Sequence, residues 1–478
     1  MLHVTRASTR GLRSVCLRSA AWYAGFAVYA GCVALFSGPG LDHWWGAWAT
    51  GGYAVAAVVA TWRPTRHGHY AALTAAVLGA LVAPLIWLAV HEPITSDSFV
   101  VARSGVQLLH HGIPYLPVAR LAAGGWLAYN PYLPVMAVFG LPKALGLPGL
   151  LGDPRPWLAA ATFLLLLATF RVTNASHAAA RDGTGRRNGM APRNGAARRG
   201  EAGRPVVGSS TLPATAPGLA AFLLASPIMA FPLAMGITDP PIIAMMCLAL
   251  ALVIRSRHLL AAAAVIGAAA AMKYTAWPAL AIIAVTVAGR DGVRAAVRFT
   301  GAAVISAVVL SVAFAPAAFA NLPAVLQNTV AYPLGLTVAR SPAQSPLPGH
   351  LLSELGKAGH LTALGLLALA CLAIAVSLVV APPVTSQQAA IRIALGLAAL
   401  FTFGPATRFG YFVYPLGLCG WAALTSRRLT GLSLVAAPKR QRGTIESREG
   451  PAARFGAASA RLSHAAADSV QSETSVNV

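Results

Sequence analysis

Long runs of Ala, Leu and Val, broken by short polar punctuation, set the pattern of this 478-residue chain. Runs fall near 19–37, 45–62, 71–90, 156–172, 217–235 and 240–254, then near 259–273, 275–289, 299–318, 360–380, 391–405 and 411–425. Several approach the roughly 20 residues that a bilayer core demands. They are continuous rather than alternating, which predicts helices and not a barrel. Backbone groups in lipid must be satisfied within their own segment, and a helix does that. The pattern predicts an all-α polytopic transmembrane bundle of about 12 crossings. Some runs are short. About 15 residues rise roughly 22 Å, against a core of roughly 30 Å, which predicts tilted partners around a cavity. One further piece, 131–147, holds Pro131, Pro134 and Pro142, with Pro148 just beyond. It predicts a broken or re-entrant segment rather than a straight span.

Charge orients the bundle. The chain is 57% hydrophobic and 10% charged, with a net charge of +23 that is nearly all arginine. In a soluble protein such an excess would point to nucleic acid. Here the arginines lie between the apolar runs and in the tails. Arg63 and Arg66, the block from Arg171 to Arg204, Arg290 to Arg298, and Arg427 with Arg428 all mark cytoplasmic turns. Both termini are then cytoplasmic, the protein belongs in the cell membrane, and no nucleic-acid partner is expected. The arginine-rich start, 1–18, leads into an apolar run too long for a cleaved signal, so it reads as a retained helix. The core runs from 19 to 426. Two loops, 91–130 and 319–358, face outward. Residues 173–216 and 427–478 are polar, with little to bury, and read as a disordered cytoplasmic linker and tail.

The five cysteines show neither metal spacing nor a disulfide framework. No P-loop occurs, and no Gly-rich turn follows a predicted strand. No cofactor and no metal are expected. Substrates must come from the membrane or from outside.

Candidate chemistry gathers in the first outward loop, His91 to Pro134. Asp97 lies just past an apolar run in a chain with only 13 acidic residues. Residues 98–111 predict an amphipathic helix lying in the interface. Arg103, Gln107, His110 and His111 share one face; Phe99, Ala102, Val106 and Leu109 share another. Two readings of Asp97 stand together: Ser96 or Asp97 caps this helix, or Asp97 is a general base at the water–lipid boundary. Asp239, in GITDPP, carries a capping signature and is a second outward acid. Lys273 interrupts an apolar run, where an ammonium is costly. It reads as a snorkelling lysine or as a cation facing a cavity and a lipid phosphate. Arg340 and Arg408 each stand among apolar and aromatic residues, as phosphate binders or as headgroup contacts. His110 and His111 lack a third metal ligand at useful spacing. Trp126, Tyr129 and Tyr132 read as an interfacial belt or a sugar platform.

Five local patterns occur in order: Asp97 followed by LLHHGIPY at Leu108–Tyr115, YNPYLPVMAVFGLP at Tyr129–Pro142, MGITDPPIIAMM at Met235–Met246, IGAAAAMKYTAWP at Ile266–Pro278, and TRFGYFVYP at Thr407–Pro415. This order resembles the GT-C superfamily of integral-membrane glycosyltransferases, especially the glycosyltransferase family 87 type of actinobacteria. The chain departs from that pattern with two extra helices before the first loop, and with Tyr-Asn-Pro in place of Tyr-Pro-Pro. The resemblance implies a polyprenyl-phosphate sugar donor, of mannose or arabinose type, and a glycolipid or glycan acceptor. It implies inverting transfer outside the cell with Asp97 as base. Lys273, Arg340 and Arg408 would hold the donor phosphate. Asp239, His110, His111, Tyr115, Tyr129 and Tyr411 would contact substrate. The rival reading is a transporter or flippase for a lipid-linked sugar, although transporters usually carry repeat symmetry. A third is a scaffold for envelope assembly with Asp97 as a cap alone.

Overall fold

The structure, a computed structural model, describes residues 2–63, 65–121, 123–188, 215–254 and 258–426, with side chains from Arg18 onward except at 66 and 176–188. Among the described residues it is all-helical, with no strand. The long helices are α1 (Leu2–Phe36), α2 (Leu41–Trp62), α3 (His67–His91), α4 (Ser96–His111) and α5 (Pro154–Asn188). Then come α6 (Ala216–Ala225), α7 (Pro227–Met235), α8 (Asp239–Val253), α9 (Leu259–Met272) and α10 (Ala276–Asp291). The chain closes with α11 (Val293–Phe314), α12 (Lys357–Val380), α13 (Ser386–Phe403) and α14 (Val413–Thr425).

Among the described residues six stretches are long and apolar enough to cross a membrane: Arg18–Phe36, α3, Pro154–Ala175, α11, α12 and α13. The number rises to seven if α6 and α7, bent by 65° at Ser226, count as one span. The bend has a cause. Pro227 withholds its N–H, and Ser226 is extended with φ −67° and ψ 149°.

The core is built largely from alanine. Helix α8 runs through its centre, and every residue but Leu252 is buried. Small side chains let the surrounding backbones approach closely, as membrane helices require. Gly52 of α2 and Gly79 of α3 show it: a Cβ on either would fall within about 2.5 Å of the other's Cα. Gly79 lies in a π-helical turn, Leu78–Val82, and the Trp45 indole donates to the Ala80 carbonyl there at 2.9 Å.

Three expectations need correction. The sequence put a disordered linker at 173–216, but α5 continues to Asn188 and α6 starts at Ala216. Once a span is nucleated, each added helical residue costs little, and Ala and Arg favour the extension. Residues 189–214 and the tail from 427 lie outside the described residues. Neither Ser96 nor Asp97 caps α4: Thr95 does, its hydroxyl accepting from the Ser98 N–H at 3.4 Å. Asp239 is likewise no cap. It is the first residue of α8, and no side chain caps that helix. The segment 131–147, by contrast, is broken as expected: a 3-10 helix covers Pro134–Gly140 and a single turn covers Leu141–Ala144.

Candidate functional site

Four connecting segments, those after α4, α9, α11 and α13, meet at one end of the bundle. The Leu133 N–H donates to the Met272 carbonyl at 2.9 Å, and the Ala317 N–H to the Gly112 carbonyl at 3.2 Å. The Ser345 N–H donates to the Thr407 carbonyl at 2.9 Å, and the Thr407 N–H to the Ala343 carbonyl at 2.9 Å. The opposite end holds arginines: Arg290 donates to the carbonyls of Val253 and Ile254 at 2.7 and 3.2 Å.

The meeting segments line a cavity of about 70 Å³ that opens to the outside of the protein. Asp97, Lys273, Arg408, Tyr129, Tyr132 and Tyr411 line it. Residues separated by over 300 positions therefore share one space.

Asp97 sits in the first turn of α4, where the helix dipole favours a carboxylate. Two bolts fix this turn. Thr95 Oγ1 donates to the Met235 carbonyl at 2.9 Å, and Ser98 Oγ to the Gly236 carbonyl at 2.8 Å. Because Thr95 caps the helix, the Asp97 carboxylate is left to the cavity. Its Oδ1 lies 3.7 Å from Arg408 Nη1, with the two side chains 20% and 32% exposed. Burial works against the Arg408 charge, but the Asp97 carboxylate beside it, with Tyr411, Tyr132 and Tyr332, outweighs burial and raises its pKa.

Helix α4 buries neither of the two faces assigned from the sequence. Ser98, Val101, Ser104, Gly105 and Leu108 form the packed side, and a Cβ on Gly105 would meet the Gly140 carbonyl carbon at 2.2 Å. Phe99 and Leu109 remain exposed. Arg103 turns away from solvent and donates to the carbonyls of Leu127, Ala128 and Tyr129, the last two at 3.0 and 3.3 Å.

Lys273 is buried and already paired. Its ammonium contacts Asp239 Oδ1 directly and lies 3.4 Å from Thr238 Oγ1. The rings of Tyr132, Tyr411 and Tyr414 surround it at 5.3, 5.9 and 5.9 Å. Such a cage lowers the cost of burying a cation. The snorkelling reading does not hold, because the side chain stays inside.

A buried asparagine joins the two large loops. The Asn130 N–H donates to Asn328 Oδ1 at 2.7 Å. Asn130 Nδ2 donates to Ser104 Oγ at 2.9 Å and to the Pro114 carbonyl at 3.2 Å. Its Oδ1 accepts from the Tyr132 N–H at 3.1 Å. Next to it Tyr129 stacks on Tyr332, with centroids 4.5 Å apart and planes 10° apart. Burial raises the pKa of Tyr332, and raises those of Tyr132 and Tyr411 well above the usual phenol value.

Other candidates lie elsewhere. Arg340 is exposed and does not line the cavity. His110 and His111 are exposed at the far end of α4, with ring centroids 6.5 Å apart. Tyr115 is buried behind the cavity and donates to the Tyr132 carbonyl at 2.9 Å. Asp239 meets the cavity only through Lys273. Among the described residues no three metal-ligating side chains cluster. Sequence reasoning missed Tyr332, Tyr274 and Ser341, all in the cavity wall. Asn328, four residues before Tyr332, was the available signal: an amide in an apolar stretch needs a partner. Compared with known proteins, the chain matches no family model, no curated protein and no solved structure.

Proposed function

We propose that the chain is a membrane glycosyltransferase that moves a sugar from a polyprenyl-phosphate donor to an acceptor hydroxyl outside the cell. In this reading the shorter helices also cross, giving about twelve crossings in a GT-C-like bundle. The arginine-bearing end faces the cytoplasm by the positive-inside rule, and the cavity faces outward.

One observation carries the reading: a carboxylate free of capping duty and an arginine at 3.7 Å share an open, tyrosine-lined cavity. Asp97 accepts the acceptor hydroxyl's proton. The hydroxyl oxygen bonds to the anomeric carbon as that carbon's bond to the phosphate oxygen breaks. The electron pair leaves with the polyprenyl phosphate, and the anomeric centre inverts. Arg408 offers its fixed positive charge to the phosphate as negative charge builds up. Lys273 stands behind it as a paired charge. Arg340, outside the cavity, has no part in the transfer.

The test uses purified protein in vesicles with labelled polyprenyl-phosphate mannose or arabinose and a glycan acceptor. Label should pass covalently to the acceptor. Asp97→Asn, expressed at the normal level, should lose transfer by a factor on the order of 10² to 10⁴, the usual share of a general base. Full activity in that variant removes Asp97 from the mechanism. Label that crosses the bilayer without a new glycosidic bond would favour the transporter reading.

A further inference from the structure

A second hollow lies on the flank of the bundle and shares no lining residue with the cavity. It is a groove of about 580 Å³ along the seam between α2 and α3. Its floor is nearly bare backbone, Gly51 and Gly52 of α2 against Gly79 of α3. Its walls at one end are the indoles of Trp44, Trp48 and Trp87. The close approach of the two helices accounts for Gly52 and Gly79. It does not account for Gly51, which is exposed and where a Cβ would meet nothing within 4 Å. Glycine inside a helix is unfavourable, and packing within the chain gives no reason for this one. A ligand lying flat on the floor does.

The groove is formed in advance. Trp45, buried behind the seam, bonds the Ala80 carbonyl and packs edge-on against Phe231, with centroids 4.7 Å apart. Trp44 lies 4.6 Å from Trp87, which stacks in turn on His91 at 4.9 Å. Trp44 and Trp48 keep ring surface open, at 39% and 42% exposure.

Length decides the kind of occupant. The groove runs from Trp44 to Val55 on α2 and from Ala75 to Trp87 on α3. At 1.5 Å per residue that is about 16–18 Å, half of a core of roughly 30 Å. A spanning helix from a second copy would run on past Val55 and Ala75, where the groove stops. A lipid of one leaflet fits. The aromatic end is the end from which the chain passes into α4 and the cavity, and the proposed function places that end outward. Chemistry narrows the lipid. Lipid tails are as apolar as the groove, so burying hydrocarbon there brings no hydrophobic gain. Contact and order remain. A flexible acyl chain must be immobilised to lie in the groove, whereas a fused-ring system is rigid beforehand. Flat rings also match a floor without side chains. At the aromatic end His91 Nδ1 bonds the Trp87 carbonyl at 2.9 Å. A carbonyl only accepts, so Nδ1 carries the proton, and Nε2 of the neutral ring is left to accept from a hydroxyl.

We propose that the groove between α2 and α3 binds a flat, fused-ring lipid alcohol of the outer leaflet, of sterol or hopanoid shape, with its rings over Gly51 and its hydroxyl at the His91 end. The site is separate from the cavity and stands whether or not the chain transfers sugar.

Photolabelling of the full chain in phosphatidylcholine nanodiscs tests it, with a diazirine-bearing cholesterol as probe and the labelled peptides mapped by mass spectrometry. Label should concentrate in 44–55 and 75–87, and excess plain cholesterol should remove it. A phosphatidylcholine with the diazirine in its acyl chain should show no such concentration. Gly51→Leu fills the floor and Trp48→Ala opens the wall, and each should cut cholesterol labelling about tenfold or more, as loss of an anchor does. Leucine at 51 enters open space and favours the helix, and circular dichroism checks that both variants fold. Cholesterol label spread evenly over lipid-facing helices such as α12 overturns the proposal. Unchanged labelling in both folded variants overturns it, and so does equal labelling of the groove by the acyl-chain probe. A wild type that elutes as a dimer, with Gly51→Leu eluting as a monomer, gives the groove to a second copy and overturns it as well.

Discussion

Gly236 offers the sharpest test of how the cavity is held. It sits between α7 and α8 with φ +76°, a left-handed conformation. An L-residue there costs about 1–2 kcal/mol in backbone alone. A Cβ would fall 2.1 Å from Ser98 Oγ and 2.7 Å from Arg155 Cγ. Ser98 and Arg155 are 0% and 1% exposed, so neither can swing into solvent. Overpacking of this kind costs about 1–3 kcal/mol. The displaced Ser98 hydroxyl also loses its bond to the Gly236 carbonyl, for about 1 kcal/mol more. Gly236→Ala should therefore destabilise by about 3–6 kcal/mol. Ser98→Ala alone should cost about 1–2 kcal/mol, mainly from the carbonyl left unpaired. The two changes should not add. Once the hydroxyl is gone, the alanine methyl meets one obstacle fewer and the same hydrogen bond cannot be lost twice. The double variant should recover about 1–3 kcal/mol relative to the sum, as residues in contact do. Equilibrium unfolding in mixed micelles with increasing dodecyl sulfate, followed by circular dichroism, measures all four proteins. Strict additivity would refute the contact, and with it the idea that the turn after α7 clamps the residue next to Asp97.

Two further predictions follow from the same geometry. Lys273→Met leaves the Asp239 carboxylate buried without its cation, which should cost about 3–5 kcal/mol. Lys273→Met combined with Asp239→Leu should regain most of that loss in the same unfolding experiment. Equal damage in both would mean that the pair's charges are not what matters. For pH, burial raises the pKa of Tyr115, Tyr132, Tyr332 and Tyr411 in the folded protein above the ordinary phenol value. Their stabilising share is complete below the unfolded value of about 10 and is lost as pH climbs past it toward the folded values. The thermal midpoint should thus be flat from about pH 7 to 9 as far as these groups decide it, and fall above about 10. A Tyr332→Phe protein that shows the same alkaline fall to the same extent would free Tyr332 from that account.

Helix type and apolar segmentation were legible in the sequence because hydropathy acts locally: a run such as 360–380 has few alternatives. The proline-bearing stretch 131–147 was legible for the same reason. The surface that α4 buries was not. Its periodicity offered a charged face and an apolar face, yet the packed side is the small-residue one, chosen by the close approach of Gly105 to Gly140. Capping failed at both acids because rank by residue type cannot see competitors. Thr95 takes the cap of α4, and Lys273 takes Asp239. The partnership of Asp97 with Arg408 spans 311 positions in sequence, and no local pattern encodes it. Tyr332 was hidden likewise: its partner Tyr129 belongs to the other loop.

Under the proposed function, the two ion pairs give a reason why Arg408 rather than Lys273 suits a donor phosphate. Lys273 and Asp239 are 8% and 1% exposed in their side chains and are held by direct contact, a threonine and three rings. Drawing that ammonium toward a ligand would strand a buried carboxylate, a cost of about 3–5 kcal/mol that the ligand must first repay. Arg408 and Asp97 are looser, 3.7 Å apart and partly solvated. Pairs of that kind are worth about 0–1 kcal/mol, so a phosphate can win Arg408 with little loss. Arg408 also keeps donors to spare. A guanidinium has five N–H groups, and a carboxylate at one of them leaves others in the planar fork that matches phosphate oxygens. Lys273 is therefore better suited to hold the cavity's shape, and Arg408 is better suited to meet the proposed donor.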